Sequence, residues 1–212
     1  YPFSANPQEE NPTRGYIVSA NFQPLPASGI EIPGYYNPPE RGQRLNTRLA
    51  DPSVRWDLDN SQALQLETAT AYGPQLLAPI LDDLRAAAAD EQERELVETL
   101  AAWQGDHPLQ SLPATLFNQL TYELGRATLA PRLGAQAFEQ LLSTRMIDSA
   151  LPRLTADPHS PWWSRVDGRP RNRTEAVAEA WRATLQHLRA TLGEDPAPVS
   201  YTHLTLPTNR EV

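Results

Sequence analysis

The chain has 212 residues, of which 40% are hydrophobic and 21% charged, a composition typical of a globular protein with one well-buried core or two small ones. Its formal net charge of −8 argues against nucleic-acid binding, which needs a clustered basic face. The lack of cysteine excludes thiolate chemistry, and no apolar run approaches the ~18 residues that a membrane span requires.

The first 13 residues are polar and rich in proline, and we predict that they form a loop. The segment from Gly15 to Asn21 follows, and Tyr16, Ile17 and Val18 give it the β propensity of a short strand. A strand must pair with something, and few candidate partners follow this one. The sequence therefore predicts a strand near residues 15–21 and indicates that the chain is a piece of a larger protein.

From Pro39 the pattern becomes helical, and we predict a helical region over 39–193. Asp59 or Asn60 is expected to cap a helix that ends before Gly73-Pro74. An amphipathic helix is then predicted from the spacing of Leu76, Leu77, Ile80, Leu81 and Leu84. Further helices are predicted at 112–129, 135–143, 146–154 and 173–192, the last with Thr174 and Glu175 at its start and Gly193 after its end. We interpret the basic run Arg165, Arg169, Arg171 and Arg173 as a solvated loop before this last helix.

The segment from Gly15 to Pro24 contains Gly-Tyr-Ile at its start, then the small residue Ala20 and Asn21. A loop after it leads to a predicted helix that carries Arg41. By residue type alone, Asn21 is typical of a turn at a strand end and Arg41 of a solvated helix. The order of these features resembles the penicillin acylase family of N-terminal-nucleophile amidohydrolases. Later motifs extend the resemblance over about residues 10–197, in the order Gln65-Leu66-Glu67, Trp103-Gln104-Gly105, Leu116-Phe117, Ser160-Pro161-Trp162-Trp163 and Leu192-Gly193-Glu194-Asp195-Pro196.

The resemblance implies an α+β fold, the αββα sandwich of N-terminal-nucleophile hydrolases with large helical excursions. Residues 1–198 would be part of the β-chain, mostly α-helical with a short strand near the N-terminus. The implied activity is hydrolysis of the linear amide bond of an N-acyl compound, of the penicillin or acyl-homoserine-lactone type. An N-terminal Ser, freed by autoproteolysis and lying upstream of these residues, would form the acyl-enzyme.

Three residues take roles from this resemblance. Asn21 matches the side chain that donates to the oxyanion, a role that suits a neutral amide. Arg41 matches the arginine that supports the active site, although Arg44 and Arg48 share its helix face and are alternatives. Glu31 stands where many relatives place an Asp that binds a structural calcium, a hard cation that prefers carboxylate oxygens, and a surface Glu is the other interpretation.

The resemblance implies no cofactor for catalysis, with a structural calcium in the full-length protein. The implied partners are a small-molecule N-acyl amide substrate, the α-chain and the rest of the β-chain, with no nucleic acid and no membrane span. It also implies a periplasmic or secreted enzyme. Two adjacent aromatics, Trp162 and Trp163, are interpreted as a packed corner, with a lining of the acyl pocket as the alternative.

The C-terminal segment 199–212 differs from the rest of the chain. Its residues from Val199 to Thr208 match one reading frame of a transposon end used to prepare sequencing libraries. We interpret 199–212 as a translated sequencing adapter and give it no function, with a natural β-prone tail as the alternative.

A second interpretation comes from another class of protein, a noncatalytic all-helical interaction module. It accounts for the helices but not for the segment from Asn21 to Arg41 or for the order of the later motifs. The upstream reading frame discriminates between the two. A Gly-Ser-Asn-like processing junction favours the enzyme, and a Met close to Tyr1 without such a junction favours the module.

Overall fold

The computed structural model describes residues 2–24, 32–34 and 36–192, and the regular secondary structure of these residues is helical. The chain divides into two compact units, Tyr1–Ala71 and Tyr72–Val212. In the described part of the chain, every helix falls short of the length and apolar character that a membrane crossing requires.

The described residues of the first unit form a short 3-10 helix and two α-helices. The 3-10 helix covers Phe3–Ala5, α1 covers Glu40–Leu49 and α2 covers Leu58–Gln65. The cap of α2 is Asp57, whose side chain accepts from the N–H of Asn60, while the Asn60 side chain accepts from the N–H of Asp57, both at 2.9 Å. This reciprocal pair satisfies two backbone donors at once, so the helix starts at Leu58. The prediction that Asp59 or Asn60 is the cap was therefore wrong.

The strand predicted near residues 15–21 does not form. Residues 16–19 have no regular structure, and no strand occurs among the described residues. A strand is defined by its hydrogen-bond ladder to a neighbour, and β propensity cannot replace a missing neighbour. The αββα sandwich is accordingly not present in the described residues.

The second unit is built from the remaining helices. They are α3 (Tyr72–Leu77), α4 (Leu81–Ala87), α5 (Glu91–Ala102), α6 (Leu112–Thr128), α7 (Ala130–Leu133), α8 (Ala135–Leu142), α9 (Met146–Ala156) and α10 (Arg173–Leu192), with 3-10 turns at Ala78–Ile80 and Pro161–Trp163. The helices predicted at 112–129, 135–143, 146–154 and 173–192 are all present, with bounds that differ by two residues at most. Asn172 and Glu175, rather than Thr174, exchange side-chain and backbone hydrogen bonds at the start of α10.

The amphipathic helix predicted from Leu76 to Leu84 is divided in the structure. α3 ends at Leu77, a 3-10 turn contains Pro79, and α4 begins at Leu81. Proline has no N–H to donate and its ring clashes with the preceding turn, which explains the interruption. Gly73-Pro74, predicted to break a helix, lies in the first turn of α3, where proline is tolerated.

The core of the second unit lies where α10 packs against α6 and α4. α6 contributes Leu116, Leu120 and Leu124, which recur every four residues and are fully buried. α10 contributes Val177 and Trp181, also fully buried. The spacing that predicted these helices is the same spacing that places their apolar side chains in one core.

A largely buried ion pair joins the start of α10 to α4. Arg173 Nε donates to Asp83 Oδ2 at 2.7 Å, and Thr174 Oγ1 donates to Asp83 Oδ1 at 2.6 Å. Arg173 Nη1 also donates to the carbonyl oxygen of Thr155 at the end of α9, at 3.2 Å. Both carboxylate oxygens are thus satisfied inside the protein, as a buried charge requires.

A buried arginine, Arg171, fixes the loop before α10. The Arg171 side chain is 5% exposed and donates to the carbonyl oxygens of Trp163 and Ala127 and to the Glu179 carboxylate. Arg165 also pairs with Glu179. The interpretation of the basic run as a solvated loop is therefore wrong for Arg171 and Arg173, whose guanidinium groups hold helices together.

Candidate active site

Asn21 lies at a tight reversal of the chain in the first unit. Its φ of 59° is in the left-handed region, which asparagine tolerates better than most residues because its short side chain can bond locally. The N–H of Asn37 donates to the carbonyl oxygen of Asn21 at 2.8 Å. This bond joins residue 21 to residue 37, three residues before the start of α1.

Arg41, in the first turn of α1, contacts the side chain of Asn21. Its Nη2 donates to Asn21 Oδ1 at 2.5 Å, and both side chains are exposed. A guanidinium has donors and no acceptor, so the Asn21 amide must present its oxygen to Arg41. The Nδ2–H groups of Asn21 consequently face away from Arg41, and no acceptor for them lies among the described residues.

The neighbouring arginines of α1 bind elsewhere. Arg44 makes two hydrogen bonds to the Glu67 carboxylate, of 3.0 Å from Nε and 2.6 Å from Nη2. Arg48 lies 3.5 Å from the same carboxylate. Of the three arginines that share this face, the structure therefore brings Arg41 to Asn21 and uses the other two to attach α1 to the residues after α2.

The Glu67 ion pair sets a pH dependence for the first unit. The hydrogen bond from Arg44 lowers the pKa of the Glu67 carboxyl below its ordinary value, and the charges of Arg44 and Arg48 add to this effect. A group whose pKa is lowered on folding stabilises the folded state above its unfolded pKa. That stabilisation is lost as the pH falls through the folded pKa.

We therefore expect Glu67→Gln to lower the free energy of unfolding by about 1 kcal/mol at pH 7. The difference from the wild type should shrink as the pH falls below about 4 and through the lowered pKa of the Glu67 carboxyl, because protonation then removes the wild-type charge as well. Urea unfolding of the chain between pH 3 and pH 7 measures both values. Glu98→Gln is the matched control, because Glu98 pairs with Arg85 while 58% of its side chain is exposed, and it should change stability less. A Glu67 variant that remains destabilised at the lowest pH would contradict the assignment.

Phe22 and Gly42, which the sequence did not place in the site, lie next to the Asn21–Arg41 pair and contact each other. The ring of Phe22 lies against the backbone of Gly42, where a Cβ would stand 2.4 Å from ring atoms Cδ1 and Cε1. Asn46 Nδ2 donates to the carbonyl oxygen of Gly42 at 2.9 Å. The sequence offered one signal of this contact, the glycine inside a predicted helix. Glycine destabilises a helix, so its presence there indicates that another group approaches the backbone closely.

The structure provides no metal centre within its described residues. No group of three or more His, Cys, Asp or Glu side chains there could hold a metal ion. Glu31, the residue matched to a calcium ligand, lies outside the described residues. His107 hydrogen-bonds the carbonyl oxygen of Gly105 and packs edge-on against Trp103, as a packing residue does.

The two adjacent tryptophans have different surroundings. Trp163 is 2% exposed, and its Nε1 donates to the carbonyl oxygen of Asp157 at 2.7 Å. Trp162 is half-exposed and stacks with the guanidinium of Arg132, 5.6 Å from its ring centroid. Trp163 thus belongs to the packed corner that the sequence favoured.

A cavity of about 310 Å³ with both charged and apolar lining residues lies in the second unit, between the end of α6, the loop before α10 and α10 itself. Its charged lining is already paired, with Arg126 bound to Glu123 and both Arg165 and Arg171 bound to Glu179. Each charged side chain of the lining thus has an ion-pair partner, with Asp167 bound to Arg169, while Arg165 and Arg171 share the single carboxylate of Glu179.

Comparison with protein families gives one result that covers nearly the whole chain. The family model described as Penicillin amidase matches residues 1–208. No curated protein and no solved structure matches the chain.

Proposed function

The chain belongs to the penicillin amidase family, and from this premise we propose that it is part of the β-chain of an amidohydrolase that cleaves the linear amide bond of an N-acyl compound. The nucleophile is a Ser at the N-terminus of that β-chain, upstream of residues 1–212. Substrates are amides of the penicillin or acyl-homoserine-lactone type. The observation that carries the proposal is the Asn21 amide, held through its oxygen by Arg41 with its donors facing outward.

The proposed reaction has two halves. The Ser hydroxyl oxygen attacks the amide carbonyl carbon while its proton passes to the α-amine of the same residue, and the carbonyl oxygen becomes an oxyanion. The Nδ2–H of Asn21 donates to that oxyanion, together with a backbone N–H from upstream. The intermediate collapses as the leaving amine takes the proton, and water then releases the acyl group from the Ser ester by the same route.

Arg41 has two functions in this scheme. Its hydrogen bond fixes which end of the Asn21 amide faces the substrate. Its positive charge also favours the neutral form of a nearby α-amine, because like charge lowers an amine pKa. A neutral amine is the form that can accept the Ser proton.

The remaining parts of the proposal concern the whole enzyme. The α-chain and the rest of the β-chain are its partners, and it is a periplasmic or secreted protein. Catalysis needs no cofactor. A structural calcium, with Glu31 as one ligand and the others from upstream, belongs to the same proposal.

We expect the 212-residue chain alone to release no amine from phenylacetyl or long-chain acyl chromogenic amides, because the nucleophile is not within it. The test measures colour release by the purified chain, with the complete processed enzyme as the positive control. Turnover by the chain alone that is abolished by a substitution within residues 1–212 would refute the proposed location of the nucleophile. Extending the reading frame upstream provides an independent check, since a Gly-Ser-Asn-like junction is expected there.

A further inference from the structure

The two residues that follow the proposed site residues in sequence contact each other. Phe22 follows Asn21, and Gly42 follows Arg41. The Phe22 ring occupies the space that a side chain on residue 42 would need, with a Cβ position 2.4 Å from two ring carbons. Real Cβ atoms do not approach carbon this closely, so the contact requires glycine at position 42.

This glycine is unfavourable for the helix that contains it. Gly42 is the third residue of α1 and is buried, and glycine in a helix is destabilising relative to alanine. It has no positive φ, so backbone freedom does not explain its presence. What the position offers is close approach by the aromatic ring.

Further contacts hold the same surroundings in place. The carbonyl oxygen of Gly42 accepts from Asn46 Nδ2 at 2.9 Å, and the Tyr16 hydroxyl lies 3.4 Å from the Asn46 carbonyl oxygen. The segment before Asn21 is therefore tied to α1 at a second place, one helical turn after Gly42.

We propose that Phe22 and Gly42 are positioning residues that set the distance and orientation of the Asn21–Arg41 pair. The Asn21–Arg41 hydrogen bond joins two exposed side chains, and the backbone bond from Asn37 to Asn21 holds the segment before α1 but not α1 itself. The ring-to-glycine contact is a second point of attachment between the same two segments, one residue further along each. This inference rests on the proposed function of Asn21 as the oxyanion donor.

The test uses the complete enzyme and a double-mutant cycle. Gly42→Ala is expected to lower kcat about 10- to 100-fold with KM changed less than about two-fold, because small displacements of a catalytic group have effects of this size. In a Phe22→Ala background, the same Gly42→Ala change is expected to have no further effect, since the ring that it collides with is gone. Phe22→Ala alone is expected to lower kcat as well, because the ring no longer holds the two segments, and this variant tests the inference if Gly42→Ala does not fold.

The chain offers two matched glycine controls in the second unit. A Cβ on Gly73 would meet Trp103 Cζ3 at the same 2.4 Å, so Gly73→Ala should lower Tm while kcat per folded enzyme stays unchanged. A Cβ on Gly125 would have its nearest neighbours at 3.5 Å, an ordinary contact, so Gly125→Ala should leave both Tm and kcat at or above the wild-type values.

Three results would overturn the inference. They are a wild-type kcat for Gly42→Ala, additive effects of the Phe22 and Gly42 changes, or an equal fall in kcat for Gly73→Ala. The kcat of Asn21→Ala shows whether the positioning role of Phe22 and Gly42 or the proposed function itself has failed. If Asn21→Ala retains full kcat, the proposed function fails, whereas if it is impaired and Gly42→Ala is not, only the positioning inference fails.

Discussion

Asn21→Ala in the complete enzyme is expected to lower kcat about 10²- to 10³-fold, or about 3–4 kcal/mol, because it removes one oxyanion donor. KM should change little, since this donor interacts with the transition state more than with the bound substrate. Steady-state kinetics on a chromogenic amide, with kcat referred to processed enzyme, measures both values. An unchanged kcat would refute the role of Asn21.

The backbone of Asn21 dictates the control. Its φ of 59° strains alanine, so part of the effect of Asn21→Ala on stability comes from the backbone. Glycine adopts this conformation without strain, so Asn21→Gly should show the same loss of kcat with less loss of stability. Asn21→Asp retains the acceptor for Arg41 but places negative charge where the oxyanion forms, and it should be slower than either. If Asn21→Gly restores kcat, the conformation of residue 21 and not its amide is what catalysis needs.

Asp83→Ala is expected to lower the free energy of unfolding by about 3 kcal/mol, because removing one partner of a buried ion pair leaves the other charge uncompensated. The value is at the lower end of the range for such pairs, since the Arg173 side chain retains 21% of its exposure. Thr174 loses its acceptor at the same time. Urea unfolding followed by tryptophan fluorescence measures the change.

The preceding residue provides the matched control for this prediction. Asp82 pairs with Arg85, but 97% of its side chain is exposed, so Asp82→Ala should have little effect. Asp83→Asn should fall between the two, because the amide oxygen can still accept from either Arg173 or Thr174. Equal stability of the Asp82 and Asp83 variants would show that the buried pair contributes nothing net.

The sequence predicted the helices of the second unit well because their apolar residues recur at three and four positions, as in Leu116, Leu120 and Leu124. It placed Asn21 and Arg41 in one site through the resemblance to a family, and the structure joins them by a hydrogen bond. Their catalytic roles remain predictions. Pro79 indicates a break in the helix predicted from Leu76 to Leu84, but the apolar spacing on both sides of it led to the prediction of one continuous helix.

Other features depend on contacts that a linear pattern does not show. The strand predicted near residues 15–21 lacks a partner among the described residues, and propensity alone cannot supply one. The Phe22–Gly42 contact joins residues 20 positions apart, and only the glycine hinted at it. The charge of Arg171 suggested an exposed side chain. The side chain is buried because three of its donors find acceptors on different parts of the second unit, and the sequence does not show these acceptors.

The position of α10 in the chain also has a consequence for biosynthesis. α10 is the last described helix, yet it packs against α4 and α6, and its Arg173 reaches an aspartate 90 residues earlier. A ribosome releases α4 and α6 before α10, so the parts of their apolar faces that pack against α10 stay uncovered until α10 has been made. The core of the second unit can therefore close only after residue 192 has left the exit tunnel.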